Sequence, residues 1–304
     1  MSQLLWCGII RNKRETLNKD LNMPVCDVCF RHCNIEENAT GFCGARTCCD
    51  GKIVAANYGK LTSIALDPIE KKPLKMFLPG SKVLSLGSYG CNLRCPFCQN
   101  YSISWSQKAF EYKNKADYYE PEEIVKTALD LRPRGNIGLA FTYNEPLIGY
   151  EFVRDTAKLS KEAGMQNVLV TNGTATLKVL NEILPYIDAM NIDLKAFTKD
   201  FYKNFLDGDF KMVKDFIQAA ATSCYVELTT LIIPGGNDSE DEMHELSSWV
   251  SGLEKQFNKK IPLHITRFFP TFNLTDREPT PISTILKLVE IAKENLEYVF
   301  AGNI

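Results

Sequence analysis

The chain has 304 residues, 45% hydrophobic and 24% charged, a balance that excludes a disordered or fibrous chain and suits one large α/β domain with a small appendage. A formal net charge of -2 excludes a global basic field that would gather nucleic acid, and no apolar run reaches the roughly 20 residues of a membrane span. The amino-terminal "LLWCGII" is short and runs into "RNKR" rather than a cleavage site. A cytoplasmic, reducing location is therefore expected, where the eleven cysteines read as metal ligands or reactive thiols and not as disulfides.

Residues 1–80 read as a cysteine-rich segment followed by a hairpin, and residues 81–304 as the main domain. In "CDVCFRHCNIEENATGFC", Cys26, Cys29, Cys33 and Cys43 are separated by two, three and nine residues, and Gly41 and Gly44 flank the last. Four thiols in a stretch with little apolar material indicate a metal that holds it together; zinc and an accessory iron–sulfur cluster both fit. Cys48 and Cys49 are candidates to replace or supplement a ligand, while Cys7 and Cys224, each alone, read as small buried hydrophobes. "KIVAANYGKLTSIAL" reads as a hairpin turning at Gly59, and the short charge run "EKKPLK" as a solvated face.

From residue 82 the pattern alternates. Strand-like "KVLSLG", "NIGLAFTY", "NVLVTNG", "AMNIDLKAF", "YVELTTLII", "PLHITRFF" and "YVFAGNI" are separated by amphipathic helix-like stretches. Apolar strands each followed by such a helix imply a parallel sheet covered on its outer face. The expected fold is α/β, a partial (β/α)6-type TIM barrel with a small cysteine-rich metal-binding segment in front. A doubly wound open sheet is the alternative, but it usually carries a glycine-rich phosphate turn after its first strand, and here that strand runs into "GSYGCNLRCPFC".

Chemistry in such barrels gathers where strands end. At the end of the first strand, Cys91, Cys95 and Cys98 can hold three corners of a cubane iron–sulfur cluster and leave the fourth iron to an external ligand. A closed zinc site would want a fourth protein ligand, such as His32 or a distant cysteine. The second strand ends in Asn144, Glu145 and Pro146, which also reads as a helix start. The third ends in Thr171 and Asn172. The fourth carries Asp193 and Lys195, two apart and so on one face, and the sixth carries His264 and Arg267.

The cysteine spacing, with Phe97 before the last cysteine, resembles the radical S-adenosylmethionine (SAM) superfamily. That resemblance implies a [4Fe-4S] cluster on Cys91, Cys95 and Cys98, SAM chelated to its open iron, and reductive cleavage to a 5′-deoxyadenosyl radical that abstracts hydrogen from a substrate. It also implies SAM contacts from Glu145, with Asn144 where the pyruvate formate-lyase activating enzymes have glycine. Thr171 and Asn172, Asp193 and Lys195, and His264 near the adenosine complete the implied set. Val170 stands where those relatives have an acidic residue of a cation site. "GFCGAR", "DPIEKKPL", "FLPGS", "LIIPGGND", "RFFP" and "AGNI" are similar to the AmmeMemoRadiSam-type enzymes, in which further residues would be expected beyond Ile304. The expected function is hydrogen abstraction from a partner protein, with an electron donor such as flavodoxin or ferredoxin. Modification of a small molecule or RNA, or a non-catalytic iron–sulfur or zinc protein, are the alternatives.

Overall fold

The computed structural model describes residues 23–304; Cys7 and "LLWCGII" lie outside the described residues. In chain order the strands are β1 (Arg46–Cys49), β2 (Lys52–Ala55), β3 (Lys60–Leu61), β4 (Ser63–Pro68), β5 (Lys82–Gly87), β6 (Asp117–Tyr118), β7 (Asn136–Phe141), β8 (Gln166–Thr171), β9 (Ala189–Asp193), β10 (Tyr225–Ile232), β11 (Leu263–Arg267) and β12 (Val299–Gly302). One eight-stranded sheet runs β12-β11-β10-β9-β8-β7-β5-β4. All its pairs are parallel except β4 with β5, and its two edge strands do not meet. It is a partial barrel, as expected.

The helices are α1 (Tyr101–Ser104), α2 (Gln107–Lys115), α3 (Pro121–Asp130), α4 (Tyr150–Glu162), α5 (Leu177–Ile183), α6 (Phe210–Ser223), α7 (Glu240–Phe257) and α8 (Ile282–Lys293). Their apolar stripes build the main core. In α4, for example, Phe152, Val153, Thr156, Ala157 and Ser160 are buried, the spacing of one helical face. Side-chain caps set where three of them begin: Ser106 accepts from the Ala109 amide, Asp209 from the Met212 amide, and Ser239 from the Glu242 amide. No helix among the described residues is long and apolar enough to cross a membrane.

The concave face of the sheet is lined by small residues, Val83, Ala140, Val168 and Ala189, and the space is filled by Ile69 and Leu74. Residues 67–76 thus plug the barrel from inside. The Glu227 carboxylate accepts from the amides of Lys75 and Met76 at 3.0 and 2.9 Å, and the Asn191 side chain donates to the Pro73 carbonyl.

Three sequence expectations need correction here. The hairpin does not form: β2 pairs back on β1, β4 joins the barrel sheet, and β3 pairs with β6. The turn at Gly59 is real, with φ +68°, but a side chain there would meet Tyr118 and the Tyr119 carbonyl, so the chain is aimed at β6 instead. The sheet accordingly starts before residue 81, because β4 belongs to it. Nor is "EKKPLK" wholly solvated: Lys72 is 2% exposed, ion-paired to Asp67 at 2.9 Å. Asp67 in turn accepts from the Tyr143 hydroxyl at 2.6 Å.

Candidate active site

The cysteine loop leaves β5 through Gly90, whose φ is +91° and whose Cα faces the Cys43 carbonyl so closely that a Cβ would lie 2.6 Å from it. Only glycine permits that approach. The loop is then fixed at several points. The Cys91 amide donates to the Cys43 carbonyl, the Arg94 amide to the Leu206 carbonyl, and the Trp105 indole to the Cys95 carbonyl. Phe97, 5% exposed, stacks on Phe205 with centroids 6.0 Å apart. Phe205 ends a π-helical turn, Phe201–Phe205, the kind of local irregularity that clusters at functional sites.

Burial pushes all three thiols up, Cys95 to about 12, and neighbouring sulfurs add to the rise of Cys91 and Cys95. Their thiolates therefore need a cation beside them. Among the described residues, no set of three histidine, cysteine or acidic ligand atoms that lie within 4.8 Å of one another includes any of the three. A tetrahedral zinc would hold its sulfurs roughly 3.8 Å apart and would want a fourth protein ligand. A cubane holds them wider and accepts three. The donor set fits the cluster.

Around this bowl the ends of the next strands supply polar groups. Glu145 is 3% exposed and caps the short 3-10 turn Pro146–Gly149; its carboxylate accepts from the Leu147 amide, the Thr171 hydroxyl and the Asn172 amide at 2.8–3.0 Å. Burial lifts its pKa to about 7, Asp193 adds to the rise, and the three donors pull it part of the way back. Lys195 pairs with Asp193 at 2.8 Å. Burial opposes its charge, but Asp193 and the Cys95 sulfur outweigh burial and keep the ammonium protonated. The Tyr202 hydroxyl accepts from the Lys195 amide and the Asn237 side chain donates to its carbonyl, so both flanks of this residue are anchored.

The structure therefore brings together Cys91, Cys95, Cys98, Phe97, Glu145, Thr171, Asn172, Asp193 and Lys195 at the carboxyl ends of β5, β7, β8 and β9. Two further residues of the expected set have protein partners of their own. Asn144 has its amide taken up by backbone, accepting from Ser88 and donating to the Gly90 carbonyl, so it positions the cysteine loop. The cap expected at Asn144 is made by Glu145 instead. His264 does not join the rim: it sits near the start of β11, and its Nε2 lies 2.6 Å from the buried Glu227. A histidine beside that carboxylate serves the barrel plug.

Sequence reasoning missed Asn92. It is 1% exposed, and its side chain accepts from the Asn172 amide and donates to the Thr174 hydroxyl. Asn172 in turn reaches the Cys91 sulfur at 3.8 Å. The signal was its place directly after the first loop cysteine. Asp67 and Lys72 were also missed, although "DPIEKKPL" had been singled out as a motif.

The described cysteines of the amino-terminal segment fall into two groups. Cys26, Cys29, Cys33 and Cys43 line one small pocket, which neither Cys48 nor Cys49 lines. Cys48 instead donates to Glu37. Cys224 is buried at the end of α6, as a small hydrophobe should be.

Comparison with known proteins adds relatives. The family model of the Radical SAM superfamily matches residues 86–249. Uncharacterized protein MJ0808 of Methanocaldococcus jannaschii is 40% identical over 289 residues, covering 94% of this chain and 83% of that protein. Pyruvate formate-lyase-activating enzyme of Clostridium pasteurianum is 27% identical over 54% of this chain and 67% of its own. Among solved structures, Streptococcus suis SuiB superposes with a TM-score of 0.53 at 12% identity, over 71% of this chain and 47% of that one, a likeness of fold alone.

Proposed function

Because the chain belongs to the radical SAM superfamily, we propose that it is a radical SAM enzyme that abstracts hydrogen from a partner protein, in the manner of the glycyl-radical enzyme activating enzymes it resembles. The observation that carries this reading is the gathering of Cys91, Cys95 and Cys98 with Glu145 and the Asp193–Lys195 pair at the ends of four adjacent strands. A [4Fe-4S] cluster with SAM bound to it supplies reductive cleavage to methionine and a 5′-deoxyadenosyl radical.

The rest is the work of this chain's own residues. Cys91, Cys95 and Cys98 would hold three corners of the cluster. Glu145, ionised once a cation faces it, would take the ammonium of SAM, and Thr171 and Asn172 hold it in place. Lys195 would take the SAM carboxylate, with Asp193 keeping it charged and aimed. Phe97 and Leu93 wall the bowl from water: they are 5% and 1% exposed.

An unclosed sheet supports a macromolecular substrate, since the gap between β4 and β12 leaves the barrel open at one flank. An electron donor of the flavodoxin or ferredoxin type completes the reaction. The test is isotopic. Reduced enzyme and unlabelled SAM are incubated with fractions from cells grown in deuterated medium, and the released 5′-deoxyadenosine is weighed by mass spectrometry. Deuterium is expected from the macromolecular fraction, and lost after protease treatment. Deuterium from the low-molecular-mass fraction, or lost on ribonuclease treatment instead, would overturn the protein-substrate reading.

A further inference from the structure

We propose that Cys26, Cys29, Cys33 and Cys43 form a second, closed iron–sulfur site, held by four thiolates and packed against the loop that carries the first. The four line a single small pocket together with Val28, Arg31, Ile35 and Arg46. Cys26, Cys29 and Cys43 are buried and Cys33 is half-buried.

The backbone around these sulfurs favours their charged form. The backbone at Val28 stabilises the Cys26 thiolate, that at Arg31 the Cys29 thiolate, and that at Ala45 and Arg46 the Cys43 thiolate, against the burial that raises each thiol. Backbone N–H dipoles beside a sulfur suit a thiolate, which accepts strongly, better than a thiol. A further donor is unused: the Nε of Arg46, a residue 4% exposed that lines this pocket, has no partner among the described residues. Its Nη1 is held by Glu151 at 2.7 Å, which fixes the guanidinium in place. An uncompensated buried N–H beside four thiols calls for an anionic acceptor, and a thiolate-ligated cluster is one.

Spacing selects the cluster over a lone zinc. Among the described residues, no three of these four sulfurs lie within 4.8 Å of one another. A single tetrahedral zinc would draw all four to roughly 3.8 Å. Cysteines on different irons of a cluster stand farther apart than those on a single metal. Cys91, Cys95 and Cys98 likewise fail to close within 4.8 Å.

The two cysteine sets are joined through the protein. The Cys43 carbonyl accepts from the Cys91 amide at 3.2 Å, and Arg31 donates to the Asn92 carbonyl at 2.8 Å. Phe42 lies between the guanidinium groups of Arg31 and Arg94, at 3.3 and 3.7 Å. Asn92 reaches Cys91 through Asn172, and its side chain also favours the Cys29 thiolate.

The test is metal and sulfide analysis of the full chain, reconstituted without oxygen using ferrous iron, sulfide and an equal amount of zinc. A Cys91→Ala/Cys95→Ala/Cys98→Ala variant is expected to keep at least two irons with matching sulfide and a visible charge-transfer band. Adding Cys26→Ser and Cys29→Ser should remove them. One zinc, or one iron without sulfide, in the triple variant would overturn the proposal. So would a triple variant with native circular dichroism and no metal. Should the quintuple variant fail to fold, wild type still decides: iron above about four per chain supports the second site, and iron at or below that contradicts it. Failure of the first-site reading looks different, as wild-type iron that survives the triple change undiminished.

Discussion

Glu145 shows how much chemistry one buried carboxyl can carry. Among the described residues it forms no ion pair, and its pKa is lifted to about 7. A carboxyl raised in this way is neutral below that value and ionised above it, so a cationic ligand binds better as pH rises through it. The cluster-loaded enzyme is therefore expected to bind SAM several-fold more tightly at pH 8 than at pH 6, by equilibrium dialysis. Glu145→Gln should weaken binding roughly tenfold or more at pH 8 and flatten the dependence, the loss of one charge-assisted contact. An unchanged slope in the variant would remove Glu145 from the SAM site. Glu145 was legible because Asn144, Glu145 and Pro146 follow a strand; the partners of Asn144 were not, because a side chain's use by nearby backbone leaves no trace in spacing. Nor was the pairing of His264 with Glu227, which lies on another strand.

Between elements, the junction that matters is where the amino-terminal cysteine segment meets the loop after β5. Gly90 is the contact point, at φ +91° against the Cys43 carbonyl. Gly90→Ala should push the two apart, on top of a left-handed backbone cost of about 1–2 kcal/mol. The expected result is a thermal midpoint lower by several degrees and faster proteolysis within residues 23–55. A midpoint and cleavage rate equal to wild type would show that the junction is loose. The seven parallel strands and the helices between them were readable because apolar runs and amphipathic stretches alternate. The hairpin was not, because two strand-like runs about Gly59 look alike whether they pair with each other or with distant strands. The short helices α1 and α2 also escaped: their sequence carries no sustained apolar stripe, and only Ile103, Ser104 and Ala109 are buried in them.

At the scale of the molecule, an open parallel barrel presents its strand ends to one side, is plugged from within by residues 67–76, and is buttressed by a segment organised around four cysteines. The fold class followed from periodicity, and the first cysteine set from spacing. The plug did not, because Lys72 and Asp67 look solvent-bound until the chain is seen to fold back into the barrel. The central claim is that Cys91, Cys95 and Cys98 support SAM cleavage. Its most direct test is 5′-deoxyadenosine release from anaerobically reconstituted, reduced protein given SAM, beside a Cys95→Ala variant. Release is expected in the wild type and should disappear in the variant. Release that persists in Cys95→Ala, or none from wild type with a full cluster and SAM bound, would contradict it.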